Sequence, residues 1–335
     1  MKRIGIGVLG YGRIGRIHAD NVRASQFATL VKVADPFFGA GIDAPDDIAW
    51  TPDVQSVIDD PAVDAVMICT PTPTHAPMVL AAAAAKKQIF CEKPLDLEID
   101  VATRAVEAAQ RAGVILQVGF NRRFDPSFRR VRDAVRDGEI GSLCMLRVIS
   151  RDPAPPPVEY VRDSGGLFLD MMIHDFDMVR FVSGSEVEEV QAFGMVRVDP
   201  RIGEAGDVDT AVVSLRLASG ALAVIENSRR AIYGYDQRVE AFGVEGAIEA
   251  GNRTASTTQL KTLAGVRVEN PLSFFTERYE AAYRLELAAF VDAVRSGKEP
   301  ECSGADALPT LAIAAAARRS MRTGRPEAVA AMVTG

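Results

Sequence analysis

Asp170, His174 and Asp177 interrupt an otherwise oily run, GGLFLDMMIHDFDMVRF, at residues 165–181. An aspartate four residues before a histidine sits one helical turn away from it. Such a pair can be a general base with its orienting carboxylate, half of a metal site, or an ion pair on a helix surface. At about 100° per residue, Leu169, Met172, Ile173, Phe176 and Val179 fall on one side and Asp170, His174 and Asp177 on another. The stretch is therefore expected to form a helix that buries one stripe and presents three titratable groups.

A second stretch narrows the chemistry. Gly10-Tyr11-Gly12-Arg13-Ile14-Gly15 fits G-x-G-x-x-G, follows an apolar strand-like run, opens a helix-like one, and precedes Asp35, twenty residues past Gly15. Gly10 permits the tight turn, Gly12 lets backbone approach a pyrophosphate, Gly15 lets helix and strand touch, and the helix N-terminus holds the phosphates. The alternative is a structural turn with Asp35 as an incidental loop acid. A carboxylate at position 35 accepts from ribose hydroxyls and repels a 2′-phosphate, and PFFGAG after it supplies no arginine, so NAD is expected and NADP is less favoured.

Cys91-Glu92-Lys93-Pro94 ends another apolar strand, where ligands of parallel sheets gather. Beside a nicotinamide, Lys93 would place a cation at the reacting oxygen; otherwise it is a solvated turn lysine. Oxidising an alcohol also requires a group to take the hydroxyl proton, and imidazole suits that near neutral pH. Of the three histidines, His174 is the best candidate. His18, in the first helix, reads as structural, and His75 reads equally as a cofactor contact or a helix-end residue. No metal is expected, because three ligands on one helix face converge poorly and no H-x-x-x-H or cysteine ligand accompanies them.

The elements that must position these groups alternate strand and helix up to residue 120, with near-continuous apolar strands, so a doubly wound parallel sheet covered on both faces is expected there. From 121 the pattern changes. A basic segment, NRRFDPSFRRVRDAVRDGEIG, reads as a helix ending at Gly138, then come five strand-like runs with a hairpin turn at Ser219-Gly220, then two helices. The fold class is thus α/β, a Rossmann domain over 1–120 and an α+β domain with an open, mostly antiparallel sheet over 121–335. The composition, 335 residues with 48% hydrophobic, 25% charged and a net charge of −7, suits a soluble two-domain protein and disfavours nucleic acid or an anionic membrane as partner. Four scattered cysteines indicate neither zinc ribbon nor disulfide framework. Pro71, Pro73 and Pro77 interrupt the uncharged stretch near residue 75, and glycines and arginines the N-terminal one, so neither a membrane span nor an export signal is expected, and a cytoplasmic location is.

These motifs together resemble the glucose-fructose oxidoreductase and inositol dehydrogenase family over essentially the whole chain. The EKP at 92–94 and D-x-x-x-H at 170–174 match its signature pair, and GFNRRFDP at 119–126, SRDPAPPP at 150–157, SGGLFLDMMIHDFDMVRF at 164–181 and NSRRAIYGYDQR at 227–238 are similar to its inositol-oxidising members. The resemblance implies that His174 takes the proton from the 2-hydroxyl of myo-inositol as hydride passes to NAD, that Asp170 orients His174 and touches substrate, and that Lys93 hydrogen-bonds the reacting hydroxyl. It further implies cofactor contacts at Gly10, Gly12, Arg13, Ile14, Gly15, Asp35, Thr70, His75, Glu92 and Lys93. Asn121, Arg122, Asp152 and Tyr235 become candidates for the ring hydroxyls, with Tyr233 an alternative to Tyr235, and Arg122, Arg123 and Asp125 alternatively pairing on a surface. A homotetramer is implied, as in relatives. Other substrates of the same mechanism are scyllo-inositol, chiro-inositol or an aldose, and a non-catalytic NAD-binding regulator is the alternative from another class.

Overall fold

The computed structural model describes residues 3–37 and 47–330, so Phe38 and the glycines after it in PFFGAG lie outside the described residues. The chain divides into two compact units, one of Met1–Asn121 with Tyr283–Leu311 and one of Arg122–Ala282 with Ala312–Val333.

The first unit opens with β1 (Ile4–Leu9), α1 (Arg13–Ala24) and β2 (Ala28–Ala34). It continues through β3 (Trp50–Thr51), α2 (Gln55–Ile58), β4 (Ala65–Ile68), α3 (His75–Ala84), β5 (Gln88–Glu92), α4 (Ile99–Ala112) and β6 (Leu116–Gly119). The strands lie in the order β3-β2-β1-β4-β5-β6 and all pair in parallel. Every residue of β1 and β4 is buried, because helices cover both faces of such a sheet. The strand order reverses at β1 and β4, and ligands of this architecture bind at the carboxyl ends of the strands at that point. Gly113 ends α4 in the left-handed region at φ 66°, as its position after an alanine-rich helix leads one to expect.

The second unit contains α5 (Pro126–Arg136), β7 (Leu143–Arg151), α6 (Val158–Asp163), α7 (Ile173–Ser183), β8 (Val187–Met195), α8 (Pro200–Glu204), β9 (Thr210–Leu217) and β10 (Leu222–Ser228). After these come β11 (Asp236–Gly243), β12 (Ala247–Ala250), the ribbon β13 (Gln259–Thr262) and β14 (Gly265–Val268), and α9 (Phe275–Arg278). The basic segment is two elements rather than one helix. Asn121–Phe124 is a 3-10 turn, and α5 starts afresh because the Asp125 carboxylate accepts from the amides of Ser127 and Phe128 and Pro126 fills the first turn. The sheet runs β12-β11-β7-β10-β9-β8-β15, the last a two-residue edge strand at Glu327–Ala328. It is antiparallel except where β10 pairs in parallel with β7, and β9 turns into β10 through Gly220 at φ 87°.

The chain returns through α10 (Glu280–Ser296) and α11 (Gly304–Thr323) to the short edge strand β15 (Glu327–Ala328). Residues 283–311 belong to the first unit, where the sequence placed everything after 120 in the second. Leu287, Phe290 and Val291 lie in one core cluster with Ile6, Val8, Met67 and Phe90, and the Val118 amide donates to the Cys302 carbonyl at 2.9 Å. Among the described residues no helix is long and apolar enough to cross a membrane.

Candidate active site

In the first unit the glycine loop connects β1 to α1. Gly10 has φ 92° and a Cβ there would lie 2.8 Å from the Cys69 carbonyl oxygen, while one on Gly15 would lie 1.9 Å from the Gly10 carbonyl oxygen. Only glycine fits either position. A Cβ on Gly12 would meet nothing within 4 Å, and no side chain caps the α1 N-terminus, so backbone amides remain there for an anion. Arg13 is exposed and Ile14 half-buried in the first turn. Asp35, buried at the end of β2, accepts from the Tyr11 amide at 2.7 Å and from the Phe37 amide at 3.0 Å. The acid is thus tied directly to the loop, and these residues fit a dinucleotide.

His75 begins α3, its Nε2 2.7 Å from the Thr70 carbonyl oxygen and its Nδ1 2.7 Å from that of Pro94. It therefore ties the turn after β4 to the turn carrying Lys93. Burial lowers its pKa, against the two carbonyls that favour the cation. Glu92, assigned to the cofactor by resemblance, directs its carboxylate inward, 2.7 Å from His18 Nε2. That pair gives His18 its structural role, and Gly119 leaves room for it, since a Cβ there would lie 3.1 Å from the Glu92 carboxylate. Lys93 is half-buried beyond β5, and Asn121 is buried where the 3-10 turn begins.

In the second unit the Asp170 stretch departs from the expected helix. Leu167–Met171 is one π-helical turn, with the Met172 amide bonded to the Leu167 carbonyl, and α-helix begins only at Ile173. Such turns recur at functional sites. The apolar stripe Leu169, Met172, Ile173, Phe176 and Val179 is buried and Asp170 and His174 are half-buried. Asp177 does not join them: it is wholly buried and accepts from Arg123 Nε at 2.9 Å and Nη2 at 2.7 Å. Among the described residues no group of three or more His, Cys, Asp or Glu is placed to hold a metal ion.

Arg122 is also interior, so the surface alternative for Arg122, Arg123 and Asp125 fails. Arg122 Nη1 donates to Asp175 Oδ1 at 2.6 Å and to Ser150 Oγ at 2.9 Å. Asp125, besides capping α5, pairs with Arg278 at 2.5 Å. Tyr235 is buried against Tyr279 and Phe274, whereas Tyr233 is 39% exposed and donates to Asp236 at 2.7 Å. Asp152 follows β7, and burial is the main cause that pushes its pKa up to about 6. Arg229 pairs with Asp152 and Asp170 together. Sequence reasoning missed Arg229 and Asp175; the NSRR segment held the first, but nothing local marks its partners.

The first unit matches the model described as the oxidoreductase family, NAD-binding Rossmann fold, over residues 4–120, and the second matches the GFO/IDH/MocA C-terminal domain over 128–249. The chain belongs to the GFO/IDH/MocA oxidoreductase family. Within it, the chain is 49% identical to a myo-inositol 2-dehydrogenase of Thermotoga maritima, over 96% of this chain and 97% of that one. It is 44% identical to an inositol 2-dehydrogenase of Rhizobium meliloti, over 97% and 98%. A crystal structure of scyllo-inositol dehydrogenase from Lactobacillus casei, with bound NAD(H) and scyllo-inositol, superposes with TM-score 0.88 at 29% identity, covering 98% of this chain and all of that one. The family assignment agrees with the parallel sheet, the glycine loop and Asp35, and NAD is the cofactor.

Proposed function

We propose that this chain is an inositol 2-dehydrogenase that oxidises myo-inositol to 2-keto-myo-inositol. The observation that carries the reading is the similarity, at 49% and 44% identity over nearly whole chains, to relatives named for that reaction, with Lys93, Asp170 and His174 all present. Bound NAD supplies the hydride acceptor. His174 takes the proton of the hydroxyl whose carbon gives up hydride, so alcohol and oxidised cofactor become ketone, reduced cofactor and one proton held on imidazole. Asp170 orients that imidazole, and Lys93 donates to the reacting oxygen and stabilises the negative charge that grows there. Asn121, Arg122, Asp152 and Tyr235 serve the remaining ring hydroxyls. A site with many donors and acceptors favours a polyol, because a substrate lacking the hydroxyls would leave buried polar groups unpaired.

The decisive assay is NADH formation from NAD with myo-inositol, scyllo-inositol, chiro-inositol and glucose, each alone. Myo-inositol is expected to give the highest kcat/KM. Turnover on scyllo-inositol alone would move the substrate to the second reading, which the Lactobacillus casei structure favours. NAD binding without turnover on any of them would overturn the enzyme reading in favour of a regulator.

We assign a cytoplasmic homotetramer to the enzyme. Supporting this, one face of the seven-stranded sheet exposes Phe193 beside Val212, and Leu222, Met145 and Phe242 in one cross-strand row, and exposed apolar patches of this kind mark protein interfaces. Light scattering should give a particle of four times 36.0 kDa; a monomer mass would remove the assignment.

A further inference from the structure

Asp152 and Asp170, which the mechanism uses separately, meet in a single charged cluster of the second unit. β7 and β10 end side by side, Arg151 opposite Ser228. Beyond them the Asp152 amide donates to the Ser228 carbonyl at 2.9 Å and the Ala231 amide to the Asp152 carbonyl at 2.6 Å. This pairing sets Arg229 beside Asp152. The Arg229 side chain is buried; Nη1 donates to Asp152 Oδ2 at 3.4 Å and Nη2 to Asp170 Oδ2 at 3.2 Å. The Tyr160 hydroxyl donates to the other Asp170 oxygen at 2.9 Å. Asp207 is the third acid of the group: it accepts from the Leu167 amide, where the π turn begins, at 2.9 Å. Gly166 at φ 75° leaves room for it, since a Cβ there would lie 2.6 Å from Asp207 Oδ1.

Two carboxylates therefore bond one buried cation, and Asp207 adds its field to theirs. Asp152 also faces Arg122 and Tyr235, Asp170 faces Tyr160, and Asp207 faces the amides of Leu167 and Val208. Burial raises the pKa of both Asp152 and Asp207, while Arg229 opposes the rise in each.

We propose that Arg229 is a positioning residue for the dehydrogenase reaction: its two Nη groups bridge Asp152 and Asp170 and so hold the Asp170 carboxylate in place for the catalytic histidine, while its charge offsets that of the acids around it. This rests on the reading of Asp170 and His174 given above. The sign is definite. Removing the cation makes protons harder to remove from every neighbouring acid and from His174, so the acid limb of the kcat/KM profile moves to higher pH; removing one acid moves it to lower pH.

The test uses the full-length enzyme with NAD and its best inositol, comparing wild type with Arg229→Gln, Arg229→Lys and Asp207→Asn. Arg229→Gln is expected to raise the acid limb by about one pH unit and to lower kcat by about tenfold or more. Asp207→Asn is expected to lower the limb, and Arg229→Lys to leave it near wild type while restoring only part of kcat, because an ammonium cannot reproduce the fork. NAD affinity is expected to stay unchanged throughout. A limb unmoved in both Arg229→Gln and Asp207→Asn, or equal losses in Arg229→Gln and Arg229→Lys with the limb in place, would reduce Arg229 to a structural residue and overturn the proposal. If Arg229→Gln does not fold, Asp207→Asn decides: an acid limb that fails to move down overturns it. Wild type inactive on every inositol overturns the dehydrogenase reading, whereas active wild type with unmoved limbs overturns the role of Arg229 alone.

Discussion

Replacing His174 with alanine should lower kcat by about 10²–10⁴-fold at neutral pH, the usual contribution of a positioned general base. His174 is the second residue of α7, directly after the π turn that carries Asp170, and is half-buried. Of the other histidines, His18 is engaged with Glu92 and His75 with two backbone carbonyls, so neither can substitute without breaking its own contacts. The glycine loop and Asp35 belong to the first unit, and NAD affinity, read by fluorescence titration, should not change. The acid limb of the wild-type pH profile should disappear along with the rate. A variant retaining kcat within about threefold of wild type would take His174 out of the proton transfer, since no weaker role accounts for a base that can be dispensed with.

The largest effect on stability should come from Asp175→Ala, an expected loss of about 3–5 kcal/mol because a buried guanidinium is left without its counter-charge. Asp175 has no exposed surface and accepts from Arg122 at 2.6 Å, from Ser150 at 2.5 Å and from Asn227 at 2.7 Å. Arg122 would keep only its bond to Ser150, and the Asn227 side-chain amide would lose its acceptor. A guanidinium is not deprotonated inside a protein, so Arg122 cannot relieve the strain by losing its proton. Urea denaturation reads the loss as a lower midpoint. Glu186→Ala is the control: its bond to Arg180 is also short, at 2.7 Å, but Glu186 is 61% exposed, and the cost should stay below about 1 kcal/mol. Equal losses in the two variants would show that burial does not govern the network.

The sequence displayed most clearly what local rules control. A strand, a glycine loop and a helix N-terminus in succession require only neighbouring residues, so the loop at 10–15 and Asp35 were legible, as was the hairpin at Gly220. The π turn was not, because an apolar stripe at α-helical spacing looks the same when one residue is accommodated by a wider turn; the stripe was right and the place of Asp177 was wrong. Arg229 and Asp175 illustrate a different limit. Arg229 meets Asp152 across 77 positions and Asp175 meets Arg122 across 53, and a pairing that depends on which strands lie side by side leaves no trace in either segment. The same holds for Glu92, whose neighbour in sequence is Lys93 but whose partner is His18.

The parallel sheet of the first unit has its six strands complete by Gly119, yet Leu287, Phe290 and Val291 lie in the core around β1 and β4. During synthesis all six strands therefore leave the ribosome long before the helix that finishes their packing, and residues 122–282 of the second unit are made in the interval. The nascent sheet must wait with part of its apolar surface uncovered, a state that invites aggregation or chaperone binding. A fragment cut at residue 120, where composition changes, would be held permanently in that state. The order of translation and the order in which this core closes are thus opposed, and the last helices act as the latch that ends the wait.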